Sequence, residues 1–354
     1  MSKCDVAIIY DNSHQLCFRN RHDLIAVQSV IKSVIAVQAA LTKCHYQTTV
    51  IGVKTDLIEF IQALRRLNPK CIFNLCESLF GRSIWESNIP ILLDLLNIPY
   101  TGSDGRTLAL SLNKAQSKEL LRSHGLPVPN FTVYQDKVDG LPSNVRFPLV
   151  VKPLQEDGSI GITFDSVVNN SSQLRRQVSR LLDQGFQPLI AEEYIEGREL
   201  NVGILGNENP QILPISEIDF SSLPSGYPKI VSYNSKWKVN SPEYKGTKPT
   251  IPAKLDKKIK EKVEVTAMKA YILLHCQGYA RIDLRVSPDN VLYIIEVNPN
   301  PDISPGAGFV RSAKKAGLSY EDLIISIVEN ATARIKRSSE RNQIKTYPLL
   351  CSTI

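Results

Sequence analysis

The stretch Gly278–Pro301, GYARIDLRVSPDNVLYIIEVNPNP, decides how the chain is read. Two alternating apolar runs, Tyr279–Val286 and Val291–Val297, flank the turn-like Ser287-Pro288-Asp289-Asn290, and this pattern predicts a β-hairpin. Side chains alternate faces along a strand, so Arg281 and Asp283 share one face of the first strand, and Glu296 and Asn298 share one face of the second. Pairing outward from a four-residue loop sets Arg281 opposite Glu296; a two-residue loop sets Asp283 opposite Glu296. Either register gathers the four polar groups on one side of the ribbon. Two carboxylates and an amide oxygen are hard donors of the kind Mg²⁺ prefers when phosphate oxygens and water complete its shell. A guanidinium beside them suits an oxyanion. The competing reading is a solvated hairpin face with a surface ion pair.

The composition bounds the rest. A chain of 354 residues, 43% apolar and 22% charged, is an ordinary globular composition with room for two or three lobes. No apolar run approaches the ~18–20 residues of a membrane span. The opening MSKCDVAIIYD reaches an acidic residue at once and has no signal-peptide core. The seven cysteines form no CxxC pair and are odd in number, which fits free thiols in a reducing cytoplasm and disfavours a zinc site. The net charge of +7 is scattered apart from Lys254–Lys262 and Arg334–Lys345. Interleaved acids make the first of these an exposed helix face. No nucleic-acid-binding module or stacking pattern is visible, and a positive surface suits an anionic small substrate.

Upstream, apolar strands at Asp5–Tyr10, Gln47–Val53 and Cys71–Leu75 alternate with helical patterns at Leu24–Leu41 and Thr55–Leu67, which implies a parallel sheet. Ligands of open α/β sheets sit at the carboxyl ends of the strands, here Asp11–Asn20 and Cys76–Trp85. A dinucleotide GxGxxG is absent. Helices follow at Ile89–Leu96 and Asn113–Ser123, the second closed by Gly125 and Pro127–Pro129. Phe147–Pro153 is a buried strand carrying Lys152, and an unpaired buried ammonium would be costly. Gln155–Gly161 can present N–H groups to phosphate and act as a lid. Leu189–Ile195 and Arg198–Leu205 read as strands, the second as a hairpin partner of the first. Phe220–Thr250 lacks periodicity, which in a compact enzyme marks a functional loop. Leu255–Cys276 and Ser319–Arg337 are helices, and the last dozen residues are expected to be a loose tail.

Taken together, these pieces resemble an ATP-grasp enzyme of the D-alanine–D-alanine ligase branch, over about Phe73 to Ala331. Asn97–Ser103 (NIPYTGS) resembles "GIPYTGS", and Leu112–Lys118 (LNKAQSK) resembles "MDKxxxK". Gly125–Pro129 (GLPVP) matches a common family form, and Val150–Gly161 resembles "VKPxxxGSSxG". Glu192–Leu200 (EEYIEGREL) resembles the adenine hinge. Ala280–Asp283 resembles "ARxD", and Glu296–Pro301 resembles "ExNTxPG".

The resemblance implies an α/β ATP-grasp fold: an N-terminal parallel-sheet (pre-ATP-grasp) lobe at 1–112, a central lobe at 113–188, a C-terminal lobe with the metal site at 189–337, and a tail at 338–354. The two α+β lobes would enclose the nucleotide. It also implies roles. Lys114 and Lys152 would contact ATP phosphates as fixed counter-charges. Glu192, Tyr194 and Ile195 would line the adenine hinge, and Glu199 would bind the ribose hydroxyls. Asp283, Glu296 and Asn298 would hold two Mg²⁺ ions, with Mn²⁺ as a substitute. Arg281, Lys236 and Ser159 would be the catalytic side chains, the last on the closing loop. The implied reaction converts a carboxylate into an acyl phosphate, which an amine then attacks in a closed, water-poor site.

The departures from the family cluster away from the nucleotide. Its first-lobe "ExEVS" glutamate has no counterpart in Asp11–Asn20 (DNSHQLCFRN), and its "LHGxxGEDG" histidine is replaced near Cys76 or Glu77. Gly158 stands for a serine, Trp237 for a tyrosine, Asp302 for a glycine and Ala307 for a serine. Sites built on such hydrogen bonds discriminate by roughly 10⁴-fold or more. The expectation is therefore a cytoplasmic ATP- and Mg²⁺-dependent carboxylate–amine ligase acting on small molecules other than D-alanine. Asp302, Glu77 and His14 are candidate selectivity groups. No nucleic-acid or membrane partner is expected; a homodimer is carried over by analogy alone. The alternatives are a regulatory nucleotide-binding protein and an enzyme that phosphorylates a non-carboxylate oxygen before amine attack.

Overall fold

The computed structural model describes residues 4–12 and 21–343, with side chains described for 4–12 and 30–334. His14 and Cys17 therefore lie outside the described residues, as does Cys351.

The first lobe follows the predicted alternation. Strands β1 (Val6–Asp11), β2 (Thr48–Val53) and β3 (Cys71–Asn74) form a parallel sheet in the order β2-β1-β3. Helices α1 (Arg21–Lys43), α2 (Leu57–Leu67) and α3 (Asn88–Leu95) connect and flank them. The start of α2 is fixed by Asp56, whose carboxylate accepts from the backbone of Ile58 and Glu59. Asn113 ends α4 (Gly105–Leu112) and begins α5 (Lys114–Ser123), accepting from Gln116 N–H. That one capping residue sets Lys114 at the first helical position.

The central lobe is an antiparallel sheet, β4-β7-β5-β6, built from β4 (Phe131–Tyr134), β5 (Leu149–Pro153), β6 (Val167–Val168) and β7 (Leu189–Glu193), with α6 (Ser171–Asp183) packed on β5 and β6. The third sheet contains β8 (Arg198–Leu205), β9 (Gln211–Ile212), β10 (Ser216–Asp219), β11 (Lys248–Thr250), β12 (Tyr279–Val286) and β13 (Leu292–Asn298). Its main path is β11-β10-β8-β12-β13, with β9 also on β8.

Here one expectation fails. The strands β7 and β8 are not hairpin partners; they belong to different sheets, and Glu196-Gly197 carries the chain between them. Gly197 adopts φ +128°, and a Cβ there would stand 2.1 Å from the Val286 carbonyl oxygen, so glycine is required where the sheets part.

The loop at Phe220–Thr250 is more ordered than its lack of periodicity implied. It contains α7 (Tyr233–Trp237) and α8 (Pro242–Gly246), capped by Ser232 and Ser241, before β11. Helices of five residues are too short to show a helical repeat. Helix α9 (Lys257–Leu273) packs behind β8 and β12, while α10 (Gly308–Lys315) and α11 (Tyr320–Gln343) close the chain. The last helix runs through Gln343, past the expected end at Arg337, because its final turns are helix-compatible polar residues.

Leu323, Ile324 and Ile327 of α11 share one core with Val6, Ile8 and Phe73 of the first sheet and Tyr279 of β12. The Arg334 guanidinium donates to the Tyr100 and Gly102 carbonyls and stacks 4.4 Å from the Tyr100 ring, pinning the Tyr100–Ser103 turn. No described helix is long and apolar enough to cross a membrane. The described cysteines Cys4, Cys44, Cys71, Cys76 and Cys276 are free.

Candidate active site

The three sheets surround one cleft of about 2260 Å³. That is more than twice the roughly 1,000 Å³ of a large small-molecule pocket, room for a nucleotide and further substrates. Ser159, Lys152, Glu192, Tyr194, Ile195, Glu199, Lys236, Arg281, Asp283, Glu296 and Asn298 all line it. Lys114 lies just beneath the wall, 4% exposed, and reaches Glu296 from below.

The hairpin gives the cleft its floor. Asp283 pairs with Glu296 and Arg281 with Asn298, so all four polar groups do share a face. The register arises differently from either expected loop. The turn spans five residues, with Val286 opposite Leu292, and a one-residue shift beyond Leu284–Ile294 brings Asp283 opposite Glu296. The Arg281 guanidinium grips Asp283 with two hydrogen bonds, 2.7 and 2.8 Å, and Asn201 of β8 donates to the same carboxylate at 2.7 Å.

Opposite the hairpin stand the lysines. The Lys114 ammonium is 2.9 Å from Glu296, 3.5 Å from Asp157 and donates to the Glu156 carbonyl at 2.6 Å. A cation at the first position of a helix faces the positive end of the helix dipole, so these acceptors are what make it tenable. Burial works against the Lys114 charge, yet Glu296 and Asp157 raise its pKa above the ordinary lysine value. Burial likewise opposes ionisation of Glu296, but Lys114 and Lys152 carry it down to about 2.

Lys152 pairs with Glu192 at 2.5 Å, both buried. Lys118, one helical turn beyond Lys114, reaches the other Glu192 oxygen at 3.2 Å and is 2% exposed. Burial pushes its ammonium down to about 8, with Glu192 opposing. Two lysines hold Glu192 ionised and below the usual carboxylate range, although burial alone would raise it.

The connection between β7 and β8 is braced by a side chain that the motifs did not single out. Arg285 lies on β12 and joins Glu199 at 2.6 Å, donates to the Ile195 carbonyl at 3.1 Å, and stands 5.5 Å from the Tyr194 ring. Arg285 shares the face of Arg281 and Asp283, and its place in that alternation was the available signal. Lys118 had the same kind of signal, since residues four apart on a helix share a face.

Two loops meet over the cleft. The Trp237 indole donates to the Gly158 carbonyl at 3.1 Å, and the Tyr233 N–H donates to the Ile162 carbonyl at 2.9 Å. Both Gly158 and Trp237 are departures from the family pattern, and they meet each other. Lys236, between these contacts, extends into the cleft; enclosure and Arg281 lower its pKa, while Glu296 and Asp283 resist.

At the far end, Cys76 and Glu77 separate. Cys76 is packed in the first-lobe core, where burial raises its thiol pKa well above the ordinary value. Glu77 faces the cleft near Asp302; desolvation there, and then the Asp302 charge, raise its pKa, while Lys236 opposes them. Among the described residues, no three His, Cys, Asp or Glu side chains gather as a metal site by themselves. A cation on the hairpin would rely on two carboxylates, one amide and oxygens brought by a ligand.

Buried lysines paired with carboxylates at the wall of a nucleotide-sized cleft, between two antiparallel sheets, fit an ATP-grasp carboxylate–amine ligase. The model of the D-ala D-ala ligase C-terminus matches residues 120–329. A D-alanine–D-alanine ligase of Pseudothermotoga lettingae is 30% identical over 301 residues, covering 85% of this chain and 94% of its own. The uncharacterized protein y4sG of Sinorhizobium fredii is 30% identical over 306 residues, covering 84% and 87%. Among solved structures, the D-alanine–D-alanine ligase from Bacillus anthracis complexed with ATP matches with a TM-score of 0.73 at 22% identity, over 95% of this chain and 99% of that one. The chain belongs to the D-alanine–D-alanine ligase family and is an ATP-dependent ligase that forms a C–N bond.

Proposed function

We propose that the chain joins a small carboxylate to an amine through an acyl phosphate, and that its substrates differ from the D-alanine pair. The observation that carries the first part is the gathering of Asp283, Glu296 and Asn298 on one hairpin face, with Lys152 on the wall of the same cleft and Lys114 paired to Glu296 behind it. A triphosphate placed there meets the Lys152 and Lys236 ammonium groups as well as the hard oxygen donors. Those donors fit Mg²⁺: Glu296 is ionised, and Asp283 and Asn298 stand beside it on one face. When bound, Mg²⁺ would neutralise phosphate charge.

The protein's own groups supply the rest. Lys114 and Lys152 hold the phosphates, and Glu192, Tyr194 and Ile195 border the base, with Glu199 at the ribose. Lys236 and Arg281 stand where charge grows on the transferred phosphoryl group and on the carbonyl oxygen. Ser159 lies in the lid whose neighbour, Gly158, is clasped by Trp237. That closure excludes water from an intermediate that water would destroy.

The second part rests on the far end of the cleft. Glu77 and Asp302 occupy positions where the family carries no such pair, and Ala307 has no hydroxyl to offer a substrate carboxylate. These two acids stand among Lys236, Arg281 and Arg311, and a pocket whose polar groups differ in this way from the family's discriminates against the family's substrate. The test is an ADP-release screen over pairs of amino acids, peptides and small carboxylates, with products identified by mass spectrometry. Stimulation by a pair other than D-alanine with D-alanine is expected. Efficient turnover of D-alanine alone would reject the substrate reading, and no stimulation by any pair would reject the ligase reading.

A further inference from the structure

The register of the catalytic hairpin depends on a residue outside it. From Val286–Leu292 outward, regular pairing would run Leu284–Ile294, Asp283–Ile295, Ile282–Glu296. Residues opposite each other on an antiparallel ribbon share a face, so that register would send Glu296 into the core beside Ile282, with Asn298 following. The observed ladder skips Ile295 and resumes at Asp283–Glu296. Ile295 is thus the extra residue of a β-bulge, and the bulge turns Glu296 and Asn298 toward the cleft.

A bulge leaves its extra residue without a cross-strand partner, and an unpaired buried carbonyl is costly. The Ile295 carbonyl accepts from the Lys118 ammonium at 2.5 Å. Lys118 is buried, and its charge is held by Glu192 at 3.2 Å, whose other oxygen pairs with Lys152. A salt-bridged cation from α5 therefore caps the carbonyl of the bulged residue.

We infer that Lys118 is a positioning residue: by holding the Ile295 carbonyl it fixes the bulge that brings Glu296 and Asn298 beside Asp283, and so couples the nucleotide-base side of the cleft to its metal-binding side. The inference rests on the metal role proposed above for Asp283, Glu296 and Asn298. It assigns Lys118 no contact with substrate.

Two readouts test it in Lys118→Met and Lys118→Arg. The first is metal-free: amide hydrogen exchange across Ile295–Asn298 compared with β8 as an internal control. Lys118→Met should exchange the bulge segment selectively faster, with β8 unchanged. The second is Mn²⁺ binding in the presence of a non-hydrolysable ATP analogue, followed by electron paramagnetic resonance. Loss of a side chain that orients metal ligands costs about 10–100-fold in metal affinity, and that range is expected for Lys118→Met. Lys118→Arg keeps a cationic donor and should lie between Met and wild type on both readouts; it decides the matter where the Met variant does not fold. Wild-type exchange at the bulge overturns the inference, as does wild-type Mn²⁺ affinity in a variant whose melting temperature has dropped. A wild-type chain that binds no Mn²⁺ would instead reject the proposed metal role, and the exchange difference would still judge the part assigned to Lys118.

Discussion

Glu296 is held ionised by Lys114 and Lys152, which come from different elements, against a burial cost that alone would neutralise it. Its depressed pKa has a direct consequence for acid stability. A carboxylate lowered from 4.5 to about 2 on folding stabilises the protein fully above its unfolded value, and the contribution is lost as pH falls toward 2. Denaturant melts between pH 7 and the lowest pH that keeps the chain soluble should show this loss in wild type. Glu296→Gln should show a smaller acid-side loss. The same variant removes a proposed Mg²⁺ ligand and should lower ADP release by at least the roughly 10–100-fold that loss of a residue supporting a metal site costs. Undiminished ADP release by Glu296→Gln would take Glu296 out of the chemistry.

At the scale of elements, the alternation of Arg281, Asp283, Glu296 and Asn298 was legible because period two is a property of any strand. The bulge that makes the alternation work was not, since its partner Lys118 lies 177 residues away from Ile295. The parting of β7 and β8 was equally hidden: two apolar strands with a Glu-Gly between them look alike whether they pair or diverge. Gly158 and Trp237 read separately as lost polar side chains, and only their proximity shows that the indole takes up a backbone carbonyl. That clasp predicts a particular defect. Trp237→Phe keeps an aromatic ring, though a smaller one, and removes the N–H donor, so the lid should open more often and water should compete with the amine. The ratio of ADP released to product ligated should rise above its wild-type value, with little change in nucleotide affinity. An unchanged ratio would show that the clasp does not guard the intermediate.

Across the whole molecule, the cleft is walled by all three sheets, and α11 joins the core of the first sheet to that of β12. The parallel first sheet was readable from the alternation of strands and helices, whereas the return of the last helix to that sheet was not, because an apolar stripe does not say what it packs on. A ligand that touches the central and third sheets together should stabilise the folded chain by mass action. At 100-fold over its dissociation constant the gain is about 2.7 kcal/mol. Thermal melts with a non-hydrolysable ATP analogue should therefore rise with Mg²⁺ present, and the rise should shrink in Lys152→Met. An analogue that leaves the melting temperature unmoved at saturating concentration would contradict a nucleotide site between those sheets.

Activation of a carboxylate oxygen by phosphoryl transfer is best tested by following that oxygen. A productive carboxylate labelled with ¹⁸O in both positions is incubated with ATP, Mg²⁺, the amine and the enzyme, and the released phosphate is analysed by mass spectrometry. An acyl phosphate route moves one ¹⁸O from the carboxylate into the phosphate for each C–N bond formed, with ADP as the nucleotide product. Unlabelled phosphate accompanying ligated product, or AMP in place of ADP, would contradict it.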